Sequence, residues 1–149
     1  MDVCFVIPKM KWQFDHFSDP PLGLLSVASS ARNQEICGIP TKVSLYDMGD
    51  TNSSLPDAEV YAFSASTLEF PTIVEVANHI SKEKPLATMI AGGPHFDVFS
   101  EQYWKEEISQ TPFDIISRGE GESNIEEILY SVAFDSRKKK VISQKKVSP

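Results

Sequence analysis

Short β-rich runs alternate with stretches of helical period along this chain, and that alternation constrains the fold more than any other feature. Val3–Cys4–Phe5–Val6–Ile7 is an unbroken apolar run closed by Pro8, the pattern of a strand buried on both faces. Helical spacing follows over Leu22 to Ile36, with Leu24, Leu25, Val27, Ala28 and Ala31 apolar, and stops before Gly38 and Pro40. Lys42 to Tyr46 alternates and reads as a second strand, ending in Asp47. Val60 to Phe63 is a third, Leu86 to Ala91 a fourth stopped by Gly92–Gly93–Pro94, and Asp114 to Ser117 a fifth. Helical patterns cover Pro71 to Lys84, with Pro71 in the first turn, then Phe99 to Ile108, then Ser123 to Phe134. In the last of these, Ser123 and Glu126 have the spacing of a capping box.

Strands and helices in this order predict an α/β fold with a parallel sheet, helices on both faces and right-handed crossovers. The specific expectation is a Rossmann-like, flavodoxin-like doubly wound sheet of five strands in the order 2-1-3-4-5. Lys140 to Lys146 is a candidate extra edge strand. A length of 149 residues suits one domain. We place it at 1–136, followed by a basic strand or tail over 137–149.

Charge separates those two parts. Residues 1–136 hold 8 cations against 21 acids, whereas Arg137, Lys138, Lys139, Lys140, Lys145 and Lys146 follow with no acid among them. A body so acidic repels phosphate backbones, which argues against nucleic acid as its partner. A lysine-rich end of this kind is ordinarily a solvated tail or a guarded edge strand. Cys4 and Cys37 match no metal or redox spacing. The apolar run Val3–Ile7 is too short to cross a bilayer and lacks the flanks of a secretory signal, so the expected location is the cytoplasm.

Ligands of open parallel sheets collect at the carboxyl ends of the strands. Here those ends carry small and polar residues: Ser64–Ala65–Ser66–Thr67, Gly92–Gly93–Pro94–His95 and Gly119–Glu120–Gly121–Glu122. The long loop Lys9 to Pro21 after the first strand contains Trp12, Phe14, His16 and Phe17. Each loop alone would be read as a turn; four on one rim point to a binding site. Two familiar tenants do not fit. A phosphoacceptor receiver needs an aspartate where Ser64 stands, and a flavodoxin needs a phosphate loop where Pro8–Lys9–Met10–Lys11–Trp12 stands.

The ordered set resembles the N-terminal cobalamin-binding domain of the cobalamin-dependent radical SAM family. Pro20–Pro21–Leu22–Gly23–Leu24, Asp47, Ser64–Ala65–Ser66–Thr67, Gly92–Gly93–Pro94–His95 and Gly119–Glu120–Gly121–Glu122 match its motifs in order from Val3 to about Ile142. The resemblance implies that cobalamin is the cofactor and that these loops hold it. Gly92 and Gly93 would clear a path for the nucleotide tail. Ser64, Ser66 and Thr67 would offer hydroxyls to its phosphate, amide or benzimidazole groups, ahead of a helix N-terminus that favours anions. Glu120 and Glu122 would accept from ligand hydroxyls or amides, although Glu122 is equally suited to steadying the first turn of the last helix. His95 reads as a hydrogen-bonding loop residue.

Two departures shape the functional reading. The histidine-ligated cobalamin families space Asp-x-His, whereas Asp15 and His16 are adjacent, which argues against His16 as a cobalt ligand. Trp12, Phe14 and Phe17 would instead cover the lower corrin face, leaving a base-off cobalt without a protein ligand. The family's Cys-x-x-x-Cys-x-x-Cys motif is absent, so these residues hold no iron–sulfur cluster and no catalytic set of their own. The expectation is therefore a cobalamin-binding carrier or accessory module serving a methyltransferase or radical SAM subunit. A scaffold that has lost the cofactor and binds a protein, or one piece of a split radical SAM enzyme, are the alternatives.

Overall fold

In a computed structural model the described residues are 1–10, 21–135 and 139–145. The chain runs β1 (Asp2–Ile7), α1 (Leu22–Arg32), β2 (Glu35–Ile36), β3 (Ile39–Pro40), β4 (Lys42–Asp47), β5 (Val60–Ser64) and α2 (Phe70–Glu83). It continues through β6 (Thr88–Gly92), α3 (His95–Val98), α4 (Glu101–Glu107), a 3-10 turn (Ile108–Gln110), β7 (Ile115–Arg118), α5 (Gly121–Phe134) and β8 (Lys140–Ser143). Six strands form one sheet in the order β4-β1-β5-β6-β7-β8, with every neighbouring pair parallel.

The sheet thus has six strands rather than five: the five expected strands lie in the expected order, as β4-β1-β5-β6-β7, and the candidate edge strand at Lys140 is added as β8. A hairpin, β2–β3, precedes β4, and β8 joins the sheet beside β7. The hairpin takes residues that the helical period had claimed through Ile36. It turns on Cys37 (φ 53°) and Gly38 (φ 79°), both left-handed, the requirement of a tight two-residue connection. Ile36 still reaches the core beneath α1, so the apolar spacing was real although its backbone is not helical.

The pleat sorts the strand side chains between two cores. Val3, Phe5, Val60, Ala62, Ile90, Ile115 and Ile142 face α1 and α5, packing on Leu24, Ala28, Ala31, Ile125, Ile128 and Leu129. Cys4, Val6, Tyr61, Phe63, Met89, Ala91 and Ile116 face the other way, onto Ile73, Ala77 and Ile80 of α2 and the aromatic residues Phe96 and Trp104. Each buried side chain of this size contributes roughly 1.5–3 kcal/mol of transfer free energy, so the two faces together hold the three layers in register.

Two helix boundaries depart from the sequence reading. Helix α5 begins at Gly121, and Glu120 occupies the N-cap without a side-chain cap; Ser123 lies in the first turn and donates its N–H to the Glu120 carbonyl at 3.1 Å. The Ser123–Glu126 pair is therefore not a capping box. At α4 the cap is Ser100, whose Oγ accepts from the Tyr103 N–H at 3.1 Å, one residue after the expected start.

Candidate functional site

A cavity of about 180 Å³ opens at the carboxyl ends of the strands, between the sheet and helices α1 and α5. Its origin lies in the strand sequences. On the face turned to α1 and α5, β5 reads Val60, Ala62, Ser64; β6 reads Thr88, Ile90, Gly92; β7 reads Ile115, Ser117. Each row ends in a small residue where continued apolar bulk would have filled the space. Phe5, Ala62 and Ile90 remain as floor, while Val27 and Leu24 of α1 and Ile125 and Ile128 of α5 form the walls. Ser64, Ser117 and Glu122 are its polar side chains.

Glycines fix how closely the backbones approach. A Cβ on Gly121 would lie 2.6 Å from Val27 Cγ2, so the start of α5 abuts α1 at the cavity wall. A Cβ on Gly92 would only touch Ser117 at 3.5 Å, and its further atoms would extend into the cavity. Gly93 is different. It has φ +106°, and a Cβ there would meet Ala65 O at 2.7 Å, Ala65 N at 2.8 Å and Ser64 Oγ at 2.8 Å. Its missing side chain is required by the neighbouring loop, because the Ala65 N–H donates to the Gly92 carbonyl and the His95 N–H to the Ala65 carbonyl, each at 3.0 Å.

The structure therefore brings together Gly23, Ser64, Gly92, Gly93, Pro94, Gly119, Gly121 and Glu122 of the expected site around one cavity. Leu22, Ala65, Ser66, Thr67, His95 and Glu120 lie outside its lining. Ser66 gives its N–H to Glu69 Oε1 at 2.9 Å, which sets a carboxylate at the start of α2 and opposes a phosphate there. Thr67 Oγ1 lies 3.2 Å from His95 Nδ1, and the imidazole stacks on Phe70 with centroids 4.3 Å apart. Burial pulls His95 below its ordinary 6.5. Glu120 uses its N–H on Gln144 Oε1 at 2.9 Å. Trp12, Phe14, His16 and Phe17 fall outside the described residues.

Ser117, Val27 and Phe5 line the cavity without having been singled out in the sequence. A further residue acts behind the lining: buried Asn124, in the first turns of α5, donates from Nδ2 to Ser117 Oγ at 3.0 Å and to the Arg118 carbonyl at 2.8 Å. An asparagine on the apolar stripe shared with Ile128 was the available signal. Among the described residues, no three His, Cys, Asp or Glu side chains converge as a metal site, and no helix is long and apolar enough to cross a membrane.

Comparison with known proteins found no matching family model and no matching curated protein. Among solved structures, the chain is similar to the N-terminal domain of a hypothetical protein from Thermotoga maritima. The two share 23% identity with a TM-score of 0.43, over 90% of this chain and 99% of that one.

Proposed function

We propose that this protein is a cobalamin-binding module of Rossmann-like architecture, a carrier or accessory subunit rather than a catalyst in its own right. The observation that carries the reading is the cavity at the strand ends. Gly23, Ser64, Gly92, Gly93, Gly121 and Glu122 of the loops that resemble the family's line it, and the small residues Ser64, Gly92 and Ser117 vacate it. At about 180 Å³ it is smaller than the roughly 300–1,000 Å³ that accommodates a whole drug-sized ligand. It suits one flat, largely apolar part of a larger ligand, as the benzimidazole end of cobalamin is.

In this reading Ser64, Gly92, Ser117 and Gly121 hold the nucleotide end, Val27, Ile125 and Ile128 exclude water from it, and Glu122 stands at the mouth. The corrin is too large for the cavity and rests on the rim. When bound, the cobalt supplies methyl-transfer or redox chemistry to a partner, a methyltransferase or radical SAM subunit. The chain's own contribution is to bind and orient. A tail lodged in the cavity leaves cobalt base-off. The two described histidines do not line the cavity: His79 is exposed on α2, 3.2 Å from Glu83, and His95 is held by Thr67 and Phe70. Cytoplasmic location belongs to the same proposal.

Titration with hydroxocobalamin, followed by gel filtration and a visible spectrum of the protein peak, tests the reading. Stoichiometric co-elution of corrinoid absorbance with the protein is expected. A colourless protein peak would favour a scaffold without the cofactor.

A further inference from the structure

The polar end of the cavity is a hydroxyl with a fixed sense. Asn124 Nδ2 lies 2.8 Å from the Arg118 carbonyl oxygen, which can only accept. That contact identifies the atom as the amide nitrogen rather than the oxygen, because the opposite orientation would face two acceptors together. The same nitrogen donates to Ser117 Oγ at 3.0 Å. Ser117 is 4% exposed and has no other hydrogen-bond partner among the described residues, so its own proton remains to be given. The strand pleat and the adjacent Gly92 leave the cavity beside it.

From this geometry we infer that the Ser117–Asn124 pair makes the cavity selective for flat heteroaromatic rings that present a hydrogen-bond acceptor, an unprotonated ring nitrogen or a carbonyl, towards β7. This deepens the cobalamin reading and rests on the same cavity. A ring with only an N–H there, or with none, leaves the buried Ser117 proton unsatisfied, and leaving a buried donor unpaired costs more than the bond itself gains. Ser64 does not impose such a choice: it is half-buried, and its hydroxyl has no hydrogen-bond partner among the described residues, so it can turn to donate or accept. Ser117 is the specificity-determining contact, and Asn124 is a positioning residue that acts through it.

The test uses free rings as well as the cofactor. Benzimidazole and indole have the same shape, but at mildly alkaline pH only benzimidazole offers an unprotonated ring nitrogen. Their binding to the whole chain is followed by chemical-shift changes in nuclear magnetic resonance, with hydroxocobalamin titrated in parallel. Benzimidazole should bind about 5- to 10-fold more tightly than indole, as a buried hydrogen bond of roughly 1 kcal/mol or more implies. Ser117→Ala should abolish the preference by weakening benzimidazole while sparing indole. Asn124→Ala should reduce the preference by freeing the hydroxyl to rotate, a change in ratio that a purely structural role would not produce. Equal binding of the two rings, binding of neither, or a preference that survives in Ser117→Ala would overturn the inference. Cobalamin retained without ring selectivity would reject the inference alone. Ring selectivity without cobalamin retention would uphold it and reject the cobalamin reading.

Discussion

Gly93 and Ala65 are packed so closely that a β-carbon on the glycine would lie 2.7 Å from the alanine carbonyl oxygen. That contact ties the loop after β5 to the loop after β6, and the latter borders the cavity through Gly93 and Pro94. It separates two adjacent glycines by role: Gly93 is needed by the fold, whereas Gly92 leaves room for a ligand.

The first prediction follows from that division. Gly93→Ala combines a left-handed φ of +106° with backbone overlap, so it should destabilise the protein by about 1–3 kcal/mol or more. Gly92→Ala makes ordinary contact at 3.5 Å and should melt near the parent temperature. Thermal unfolding followed by circular dichroism distinguishes them, and equal melting temperatures would contradict the assignment.

Helices α1 and α5 meet through Gly121 and Val27. Gly121→Ala forces a contact at 2.6 Å and should cost roughly 1–3 kcal/mol as overpacking. Shortening the neighbour with Val27→Ala should relieve that cost in the double variant. A double-mutant cycle with no coupling between the positions would show that the helices do not meet there.

His95 gives a pH dependence of stability. Its folded value is depressed by burial below the ordinary 6.5. Below that ordinary value the unfolded chain takes up a proton that folded His95 resists, so stability present above 6.5 is lost as pH falls through the depressed folded value. Urea unfolding midpoints should fall between neutral and mildly acidic pH, and His95→Gln should flatten that slope. An unchanged slope in the variant would place the titration elsewhere.

The strands were legible because burial on two faces writes an apolar run that few other structures produce; β1, β5 and β6 are such runs. Their order, β4-β1-β5-β6-β7, is the doubly wound order that alternating strands and helices predict, and β8 joins through Lys140–Ser143 where lysines had equally suggested a solvated tail. Helix α3 spans four residues, His95–Val98, too short to show a period. The Ser123–Glu126 spacing misled because chain direction at Gly119, with φ +86°, lets α5 start earlier at Gly121. The candidate site was legible as loops but not as a cavity. What shapes it is the step from Ala62, Ile90 and Ile115 to Ser64, Gly92 and Ser117, and that step has meaning only once the strands are in register and face the same helices.

If cobalamin binds with its tail in the cavity, the account leaves its cobalt without a nitrogen ligand, since His79 is exposed beside Glu83 and His95 is held by Thr67 and Phe70. Electron paramagnetic resonance of the bound cobalt(II) form should then lack the threefold nitrogen splitting of an axial base. Splitting that disappears in His16→Ala would identify His16 as the ligand and overturn the assignment of a cobalt without a protein ligand, whereas splitting that survives in the variant would put the benzimidazole on cobalt and overturn base-off binding.

The central claim is that a ligand end occupies the space Gly92 leaves open. Hydroxocobalamin titrated into the parent protein and into Gly92→Leu tests it most directly, with circular dichroism and melting temperature confirming that the variant is folded. The account predicts stoichiometric corrinoid binding by the parent and its loss, by at least tenfold in affinity (about 1.4 kcal/mol), in a folded Gly92→Leu. Equal binding by the two proteins, or no binding by the parent, would contradict it.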